Sequence, residues 1–333
     1  MPTIKEIAEL SGYSPATVSR TLNNDNTLAI TAEARVRILS AAESLGYVRK
    51  RTAPEVQKPR KIALVSSNAT FRNEIDSGYY FSMRSGIEDE AKAFGAGCDY
   101  IDIKDVPAAS GDYDGVVIVG HLPIEDYDLV LKHFKTKCFV AINTVYFYPE
   151  LLDHVGFDNG LCTKLALEHL FSKGHTRIAF IGHREFDRMR MFSSRKETFI
   201  EMMKEKGFYE EGMVHECSRG VEQSYEYMKA CCERKMPMPT AFFCANDPVA
   251  IGTVKALTEY GFRVPEDISI VSVDGSFITR FSNPPISSVN VHTYEQGRAG
   301  VKLLRERIGG LRDFTVMVEL TPQLEERESV AEV

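Results

Sequence analysis

From Lys61 onward, apolar strands alternate with helical patterns, and this alternation constrains the fold more than any other feature. Strands are predicted at 62–66, 100–103, 115–120, 139–143, 154–157, 178–182, 241–245, 268–273, 288–291 and 314–319, with helices between most of them. Such alternation is typical of parallel sheets covered by helices on both faces. About 270 residues suit two such lobes better than one, and ligands of these folds bind at the carboxyl ends of strands.

Composition narrows the class of protein. Hydrophobic residues make up 44% and charged residues 26% of the 333 residues, as in ordinary globular proteins. The sequence contains no apolar run of the roughly 20 residues that a bilayer requires. The first residues, MPTIKEIAEL, lack the apolar core of a signal peptide, and the seven cysteines are scattered without C-x-x-C spacing. We therefore expect a cytoplasmic protein with no membrane partner.

Charge is distributed unevenly along the chain. Residues 1–60 carry nine Lys or Arg and six Asp or Glu, a net charge of +3. Because the whole chain has a net charge of −7, the remaining residues have a net charge of −10. A basic N-terminal segment on an acidic body is typical of a nucleic-acid-binding module joined to a domain with another task.

The segment from Gly12 to Asn23 has the layout of a DNA-reading helix. Ser14 is a suitable N-cap, and Pro15 is tolerated in the first turn because its missing N–H would have no intrahelical partner. Apolar residues occupy one side of the helix, and four hydrogen-bonding residues occupy the other: Thr17, Ser19, Arg20 and Asn23. A preceding short helix and a glycine turn complete a helix-turn-helix pattern. An ordinary surface helix is the alternative.

Two further helices flank this one. Thr3 and Glu6 form a capping box at the start of the first helix, and Thr31 is placed to cap the third. The apolar spacing predicts a shared core of Ile4, Ile7, Val18, Leu22, Leu39 and Leu45.

The stretch from Thr3 to Tyr47 resembles the N-terminal head of LacI/GalR-type bacterial transcription repressors, through its capping box, A-T-V-S-R and closing L-G-Y. The motifs V-G-F-D-N at 155–159 and A-F-F-C-A-N-D-P-V-A-I-G at 241–252 resemble that family's periplasmic-binding-protein-like core. The implied fold class is an all-α helix-turn-helix head plus an α/β core of two doubly wound parallel-sheet lobes. The expected domains are a head (1–47), a hinge linker (48–61) and a core (62–333), with lobe 1 at 62–160 plus 293–320 and lobe 2 at 161–292.

The resemblance implies a role for each matching residue of the head. Five residues would contact phosphates and set the register: Thr3, Ser14, Thr17, Ser19 and Asn23. Three would face base edges: Pro15, Ala16 and Arg20. Arginine can donate two hydrogen bonds to guanine O6 and N7, whereas proline and alanine offer only apolar contact, for example with a thymine methyl.

In the family, the linker folds on the operator as a short hinge helix whose apolar residue inserts into the minor groove, and Val56 occupies that place. Pro54 inside the expected helix, and valine in place of the family's leucine, depart from the pattern. We therefore expect Arg49 and the two basic residues after it to contact phosphates. A flexible tether is the alternative.

Two charged residues stand out in the predicted core. Arg195 begins a helix, where the macrodipole disfavours a cation, and it matches the family's effector-binding arginine. Asp274 ends a fully apolar strand, and carboxylates at strand ends face the ligand cleft of such folds. Together they could donate to and accept from the hydroxyls of a sugar.

Four other residues complete the predicted ligand site by resemblance. Asn246 is expected to contact ligand, whereas Asp247 beside it is a candidate only for the cap of the following helix. Tyr80 matches an aromatic position that stacks on the effector, with Tyr79 as second choice. Asp158 fits either a ligand contact or a helix cap.

Catalytic and metal-binding patterns are missing from the sequence. His169 and His175 lie six residues apart, which does not fit the i, i+4 pairing of H-E-x-x-H, and glycine-rich phosphate loops are absent. We therefore predict no catalytic residue, no metal and no cofactor. The sequence argues against an enzyme on a doubly wound fold, and also against a sugar-binding transport protein, which should carry a signal peptide and no helix-turn-helix.

The sequence thus predicts a homodimeric repressor of a sugar-utilisation operon that binds a pseudo-palindromic operator in double-stranded DNA. The stretch 76–88 is similar to members that respond to galactose or β-galactosides, so the effector is expected to be one of these. A purine or a phosphocarrier protein as effector, and a ligand that strengthens DNA binding, remain alternatives. The C-terminal sequence lacks repeated heptads, so no tetramer is expected.

Overall fold

The computed structural model describes residues 2–22, 28, 30–47, 61–67, 76–144, 147–182, 195–218 and 220–333. The chain forms two compact units, Met1–Glu55 and Val56–Val333. Asn23 and the linker at 48–60, with Arg49, Pro54 and Val56, lie outside the described residues. None of the helices in the described ranges is long and apolar enough to cross a membrane.

The first unit contains three helices, α1 (Ile4–Ser11), α2 (Pro15–Leu22) and α3 (Ala32–Ser44). The capping box forms as predicted, since Glu6 N donates to Thr3 Oγ1 at 3.4 Å and Thr3 N donates to Glu6 Oε2 at 2.6 Å. Gly12 ends α1 with φ of +76°, a conformation that glycine adopts without steric cost.

The core of this unit differs from the prediction at two positions. Ile7, Val18 and Ile38 are fully buried and pack with Ala8, Ala41 and Ala42, whereas Leu39 is 47% and Leu45 36% exposed. The prediction of Leu39 and Leu45 as core residues is therefore wrong. Consecutive helical residues point about 100° apart, so burial of Ile38 turns Leu39 towards solvent, and Leu45 lies at the C-cap, beyond the last helical turn.

The second unit alternates strands and helices. Its strands are β1 (Lys61–Ser66), β2 (Gly97–Asp102), β3 (Gly115–Val119), β4 (Phe139–Ile142), β5 (Leu152–Gly156), β6 (Ile178–Gly182), β7 (Val214–Glu216), β8 (Ala241–Cys244), β9 (Ser269–Asp274), β10 (Ser287–Asn290), β11 (Met317–Glu319) and β12 (Gln323–Glu325). Its helices are α4 (Asp76–Ala93), α5 (Ile124–His133), α6 (Asn159–Ser172), α7 (Arg195–Glu205), α8 (Val221–Glu233), α9 (Asp247–Glu259) and α10 (Thr293–Ile308).

The described strands form two sheets of six strands each, ordered β11-β5-β4-β3-β1-β2 and β12-β10-β9-β8-β6-β7. Neighbouring strands are parallel, except that β12 is antiparallel to β10. We call the first sheet with α4, α5 and α10 lobe 1, and the second sheet with α6 to α9 lobe 2. These two parallel-sheet lobes and the helical head confirm the predicted fold class.

Within the described residues the chain passes between the lobes after β5, after β10 and between β11 and β12. The segment after β12 packs on lobe 2, where the fully buried Ser329 accepts from Ser287 N at 2.8 Å and donates to Ile270 O at 2.6 Å. The sequence did not predict β7 and β12, which are short strands at sheet edges.

Helices α4 and α10 pack with their backbones in contact, although they lie far apart in sequence. A Cβ atom on Gly86 would lie 2.0 Å from Tyr294 O, and one on Gly297 would lie 2.1 Å from Met83 O. Arg298 Nε lies 2.7 Å from Oε2 of the buried Glu90 and links the same pair of helices. This packing fixes the start of α4 at the carboxyl edge of the first sheet.

We expect the second unit to lose stability as the pH falls below about 6.5, the ordinary pKa of histidine in an unfolded chain. Burial is the main factor that lowers the pKa of four imidazoles: His154, His169, His175 and His215. Below that pH the unfolded chain binds protons that the buried imidazoles do not, so the free energy of unfolding decreases. Each imidazole that stays neutral contributes at most about 1.4 kcal/mol per pH unit.

Urea unfolding between about pH 5.5 and 7.5 measures this slope. His175, which lies 3.0 Å from Thr240 Oγ1 and 3.1 Å from Ala331 O, offers the test position. His175→Gln should give a shallower slope than the wild type, because it removes one of the four buried imidazoles. Identical slopes in the two proteins would contradict this expectation.

Candidate DNA-binding surface and ligand cleft

Helix α2 is fixed at its start by Ser14, whose Oγ accepts from Thr17 N at 3.1 Å and lies 2.9 Å from Thr17 Oγ1. Val18 and Thr21 form its buried side, at 0% and 1% exposure. The residues predicted to face bases, Pro15, Ala16 and Arg20, are all exposed, and Ser19 is half-buried.

Thr3, the other predicted phosphate contact, is exposed at the start of α1. Its hydroxyl and backbone bind Glu6, and these hydrogen bonds lower the pKa of that carboxyl. The described part of the head therefore carries Thr3, Ser14 and Thr17 at helix starts, where backbone N–H groups favour anions such as phosphate.

In the second unit, Arg195 at the start of α7 and Asp274 at the end of β9 lie together. Arg195 Nη2 is 3.9 Å from Asp274 Oδ1, and each side chain is 11% exposed. The distance suits an ion pair but exceeds that of a hydrogen bond. The Arg195 guanidinium also lies 5.9 Å from the centre of the Phe157 ring. Two residues that the sequence places on different elements thus meet in lobe 2.

The backbone at Asp274 is strained, with φ of +121°. Non-glycine residues disfavour such conformations, at a cost of about 1–3 kcal/mol, and strain of this kind clusters at functional sites. The next residue, Gly275, has φ of +67°, and a Cβ atom there would lie 2.5 Å from Asn290 Cα. This loop therefore requires glycine after the strained aspartate.

Tyr79, on α4 of lobe 1, lies near the Arg195–Asp274 pair. Its ring packs against the hydrophobic cores of both lobes. Burial raises the pKa of Tyr79 well above its usual value, and the nearby negative charge of Asp274 raises it further, while Arg195 acts in the opposite direction. The phenol therefore stays neutral beside the two charged residues.

Tyr80, the first choice from sequence, is only 8% exposed and belongs to the core of lobe 1. Its ring meets that of Tyr79 edge-on, with centroids 5.1 Å apart. The structure therefore places the second choice, Tyr79, beside the Arg195–Asp274 pair.

The remaining predicted ligand residues cap helices. Asp158 Oδ1 accepts from Gly160 N at 2.7 Å at the start of α6. Asn246 Oδ1 accepts from Val249 N at 3.0 Å at the start of α9. Asp247, which was expected to cap α9, is instead a fully buried carboxylate, so that expectation is wrong. Asn246 forms the cap because the N-cap is the residue just before the helix, and α9 begins at Asp247.

Sequence reasoning missed two residues beside the pair, Phe157 and Cys162. The Cys162 thiol is buried, which raises its pKa to about 12, and Arg195 and Asp274 are among the charges that act on it. Phe157 lies within the V-G-F-D-N motif at 155–159 and Cys162 lies three residues after it, so this motif was the available signal. No group of His, Cys, Asp and Glu side chains in the described ranges is arranged to hold a metal ion.

Comparison with known proteins identifies the family of the chain. Residues 3–50 match the family model for bacterial regulatory proteins of the lacI family, and residues 167–330 match the periplasmic binding protein-like domain. The HTH-type transcriptional repressor MelR of Bacillus subtilis is 33% identical over 332 residues, covering 93% of this chain and 92% of MelR. The HTH-type transcriptional regulator GanR of the same species is 32% identical, covering 99% of this chain and 100% of GanR.

Solved structures agree in fold. The complex of the transcriptional regulator CelR with cellobiose aligns with a TM-score of 0.70 at 26% identity, covering 99% of this chain and 100% of CelR. The lac repressor dimer bound to operator and the anti-inducer ONPF aligns with a TM-score of 0.68 at 21% identity, covering 99% of each chain. This second likeness concerns the fold alone.

A helix-turn-helix head joined to a periplasmic-binding-type core defines a bacterial transcription regulator. The chain belongs to the LacI family. Like its relatives, it is a DNA-binding transcriptional regulator and not an enzyme.

Proposed function

We propose that the protein is a cytoplasmic repressor of a sugar-utilisation operon, and that galactose or a β-galactoside bound between the two lobes controls it. The observation that carries this proposal is the Arg195–Asp274 pair beside Tyr79, because it joins opposite charges in lobe 2 to an aromatic ring from lobe 1. A ligand at this place contacts both lobes, so its binding favours one arrangement of the lobes over another.

The chemistry of these groups suits a neutral sugar. Asp274 accepts hydrogen bonds from two hydroxyls, Arg195 donates to others, and the Tyr79 ring covers an apolar face of the pyranose. Arg195 and Asp274 balance each other's charge, which disfavours a strongly charged ligand. The CelR structure, which holds cellobiose, supports a carbohydrate effector. A purine would also stack on Tyr79, so the experiment below includes one.

We infer that α2 contacts the bases, and that Thr3 at the start of α1 contacts phosphates together with Ser14, Thr17, Ser19 and Asn23. Arg20 is assigned to a guanine and Pro15 and Ala16 to apolar base edges. In the linker, Arg49 is assigned to phosphates and Val56 to the minor-groove side of the operator. A homodimer would place two such helices in major grooves about one helical turn apart.

An exposed aromatic surface on lobe 2 supports the homodimer. Phe277 and Phe281 are each 72% exposed with ring centroids 4.7 Å apart, and Ile278 between them is 41% exposed. Aromatic side chains grouped on a surface are typical of protein–protein interfaces. We infer that a second copy of the chain covers them, and that sugar binding changes operator affinity about 5–150-fold through the dimer.

The experiment that tests the function is selection of random DNA by the purified full-length protein, repeated with galactose, lactose and guanine. Recovery of one pseudo-palindrome that galactose or lactose releases would support both the dimeric repressor and its effector class. A palindrome released only by guanine would replace the sugar by a purine, and release by none would discard the proposed effectors. Failure to enrich any site would overturn the repressor proposal.

Arg20→Ala should weaken binding to the selected operator by about 1–3 kcal/mol, or roughly 5–150-fold, and relax the preference at one base pair. Fluorescence anisotropy at fixed salt measures both effects on operators with single base changes. Arg37→Ala, which removes an exposed arginine from α3, is the matched control and should leave base preference unchanged. An equal loss on every sequence would assign Arg20 to a phosphate instead.

A further inference from the structure

A buried carboxylate lies beneath the loop that carries Asp274. Asp247 is fully buried, and Ser272 Oγ and Ser288 Oγ donate to its Oδ1 at 2.5 and 2.6 Å. The backbone N–H of Ser276 donates to its Oδ2 at 2.6 Å. Short hydrogen bonds to an ionised carboxylate are among the strongest in proteins. Asp247 therefore ties together β9, β10 and the loop after β9.

Ser288 links Asp247 to a second residue of the loop, Gly275. Its Oγ accepts from Gly275 N at 3.0 Å while its hydroxyl hydrogen points to Asp247. An amide can only donate and an ionised carboxylate can only accept, so the Ser288 hydroxyl has one orientation that satisfies both neighbours. Two consecutive amides, those of Gly275 and Ser276, are thus held by Ser288 and Asp247.

These two amides directly follow the strained residue. Asp274 has φ of +121° and Gly275 has φ of +67°, and Gly275 packs so closely on Asn290 that no side chain fits there. A strained backbone persists only where its surroundings hold it. Without the anchors at Gly275 N and Ser276 N, the backbone of Asp274 would relax and its carboxylate would leave its place 3.9 Å from Arg195.

We propose that Asp247 and Ser288 are positioning residues for effector binding, because they hold the Asp274–Ser276 loop in the conformation that presents the Asp274 carboxylate to the ligand. The proposal rests on the function proposed above, in which Asp274 contacts the effector. Asp247 and Ser288 themselves are fully buried behind the loop, so we expect no direct contact between them and the effector. Their effect on affinity is therefore indirect.

The chain offers a matched pair of variants on one strand. Ser288→Ala removes the acceptor for Gly275 N and one donor to Asp247. Ser287→Ala is the control, because Ser287 is also fully buried on β10 and its Oγ accepts from a backbone amide, that of Arg327 at 2.8 Å. Adjacent strand residues point to opposite faces, so Ser287 faces the segment after β12 and not the Asp274 loop.

Two measurements on the full-length protein test the proposal. Hydrogen exchange, followed by mass spectrometry of peptides that contain Asp274–Ser276, should be at least about tenfold faster in Ser288→Ala than in the wild type or Ser287→Ala. Calorimetry with galactose and lactose as probes should give about tenfold weaker binding for Ser288→Ala. Ser288→Thr, which keeps the hydroxyl, should restore both properties, and operator affinity without sugar should stay unchanged.

The outcomes separate a positioning role from a merely structural one. Faster exchange at the loop in both alanine variants, or in neither, would overturn the proposal, as would unchanged sugar affinity in a Ser288→Ala protein whose loop exchanges faster. Binding of neither sugar by the wild type would overturn the proposed effector class. In that case the exchange rates alone decide whether Ser288 and Asp247 hold the loop.

Discussion

An Asp274→Asn variant is expected to bind the operator as the wild type does and to respond poorly to the sugar. The change removes the negative charge that faces Arg195 and replaces one acceptor by a donor, while asparagine tolerates a positive φ at least as well as aspartate. Loss of charged hydrogen bonds should cost about 2–3 kcal/mol, so sugar affinity should fall about 30–150-fold. Calorimetry and operator release at increasing galactose concentration measure the effect.

Asp158→Asn is the matched control for this prediction. It makes the same chemical change in a second carboxylate near the cleft, but the Asp158 side chain caps α6, and asparagine caps helices equally well. Its sugar affinity should equal that of the wild type. If Asp274→Asn keeps full sugar affinity, the effector does not bind at the Arg195–Asp274 pair.

The largest loss of stability is expected from Asp153→Ala. Arg312 donates to both Asp153 oxygens, at 2.7 and 2.6 Å, and the two side chains are 7% and 0% exposed. Val316 N donates to the same carboxylate at 2.8 Å. Removal of Asp153 leaves the buried Arg312 with only the half-exposed Glu306 as an ionic partner and removes the acceptor of Val316 N, which should lower the free energy of unfolding by about 3 kcal/mol.

Urea unfolding of the full-length protein measures this loss. Glu168→Ala, which breaks the surface pair with Lys164, should change stability little, because the two side chains are 57% and 55% exposed and water screens the pair. The double variant Asp153→Ala/Arg312→Met should recover part of the loss, since it also removes the buried charge. Equal losses for the buried pair and the surface pair would show that burial does not set the effect.

Features that extend over many residues could be predicted from the sequence. The predicted helices and the longer strands all form, because each rests on a run of apolar residues or on a repeated helical spacing. The meeting of Arg195 with Asp274 followed from the resemblance and from the rule that carboxyl ends of parallel strands share one edge. The missed strands, Val214–Glu216 and Gln323–Glu325, are too short and too polar to give such a signal.

Choices between adjacent residues could not be predicted. Three such choices arise here. Ile38 is buried in place of Leu39, and Tyr79 rather than Tyr80 lies beside the ion pair. Asn246, and not Asp247, caps the helix. A shift of one residue rotates a side chain about 100° around a helix. Apolar or polar character is the same within most of these pairs, so tertiary packing alone decides which residue faces the site.

The backbone contact between α4 and α10 has a consequence for recombination between relatives. Gly86 and Gly297 must match each other's helix, yet their codons lie at opposite ends of the sequence that encodes the second unit. A chimera that takes one end from this protein and the other from a relative would combine helices that were never selected to fit. Exchange of the segment between β5 and α10, which holds lobe 2 except for β12 and the residues after it, keeps both helices from one parent and transfers Arg195 and Asp274 together.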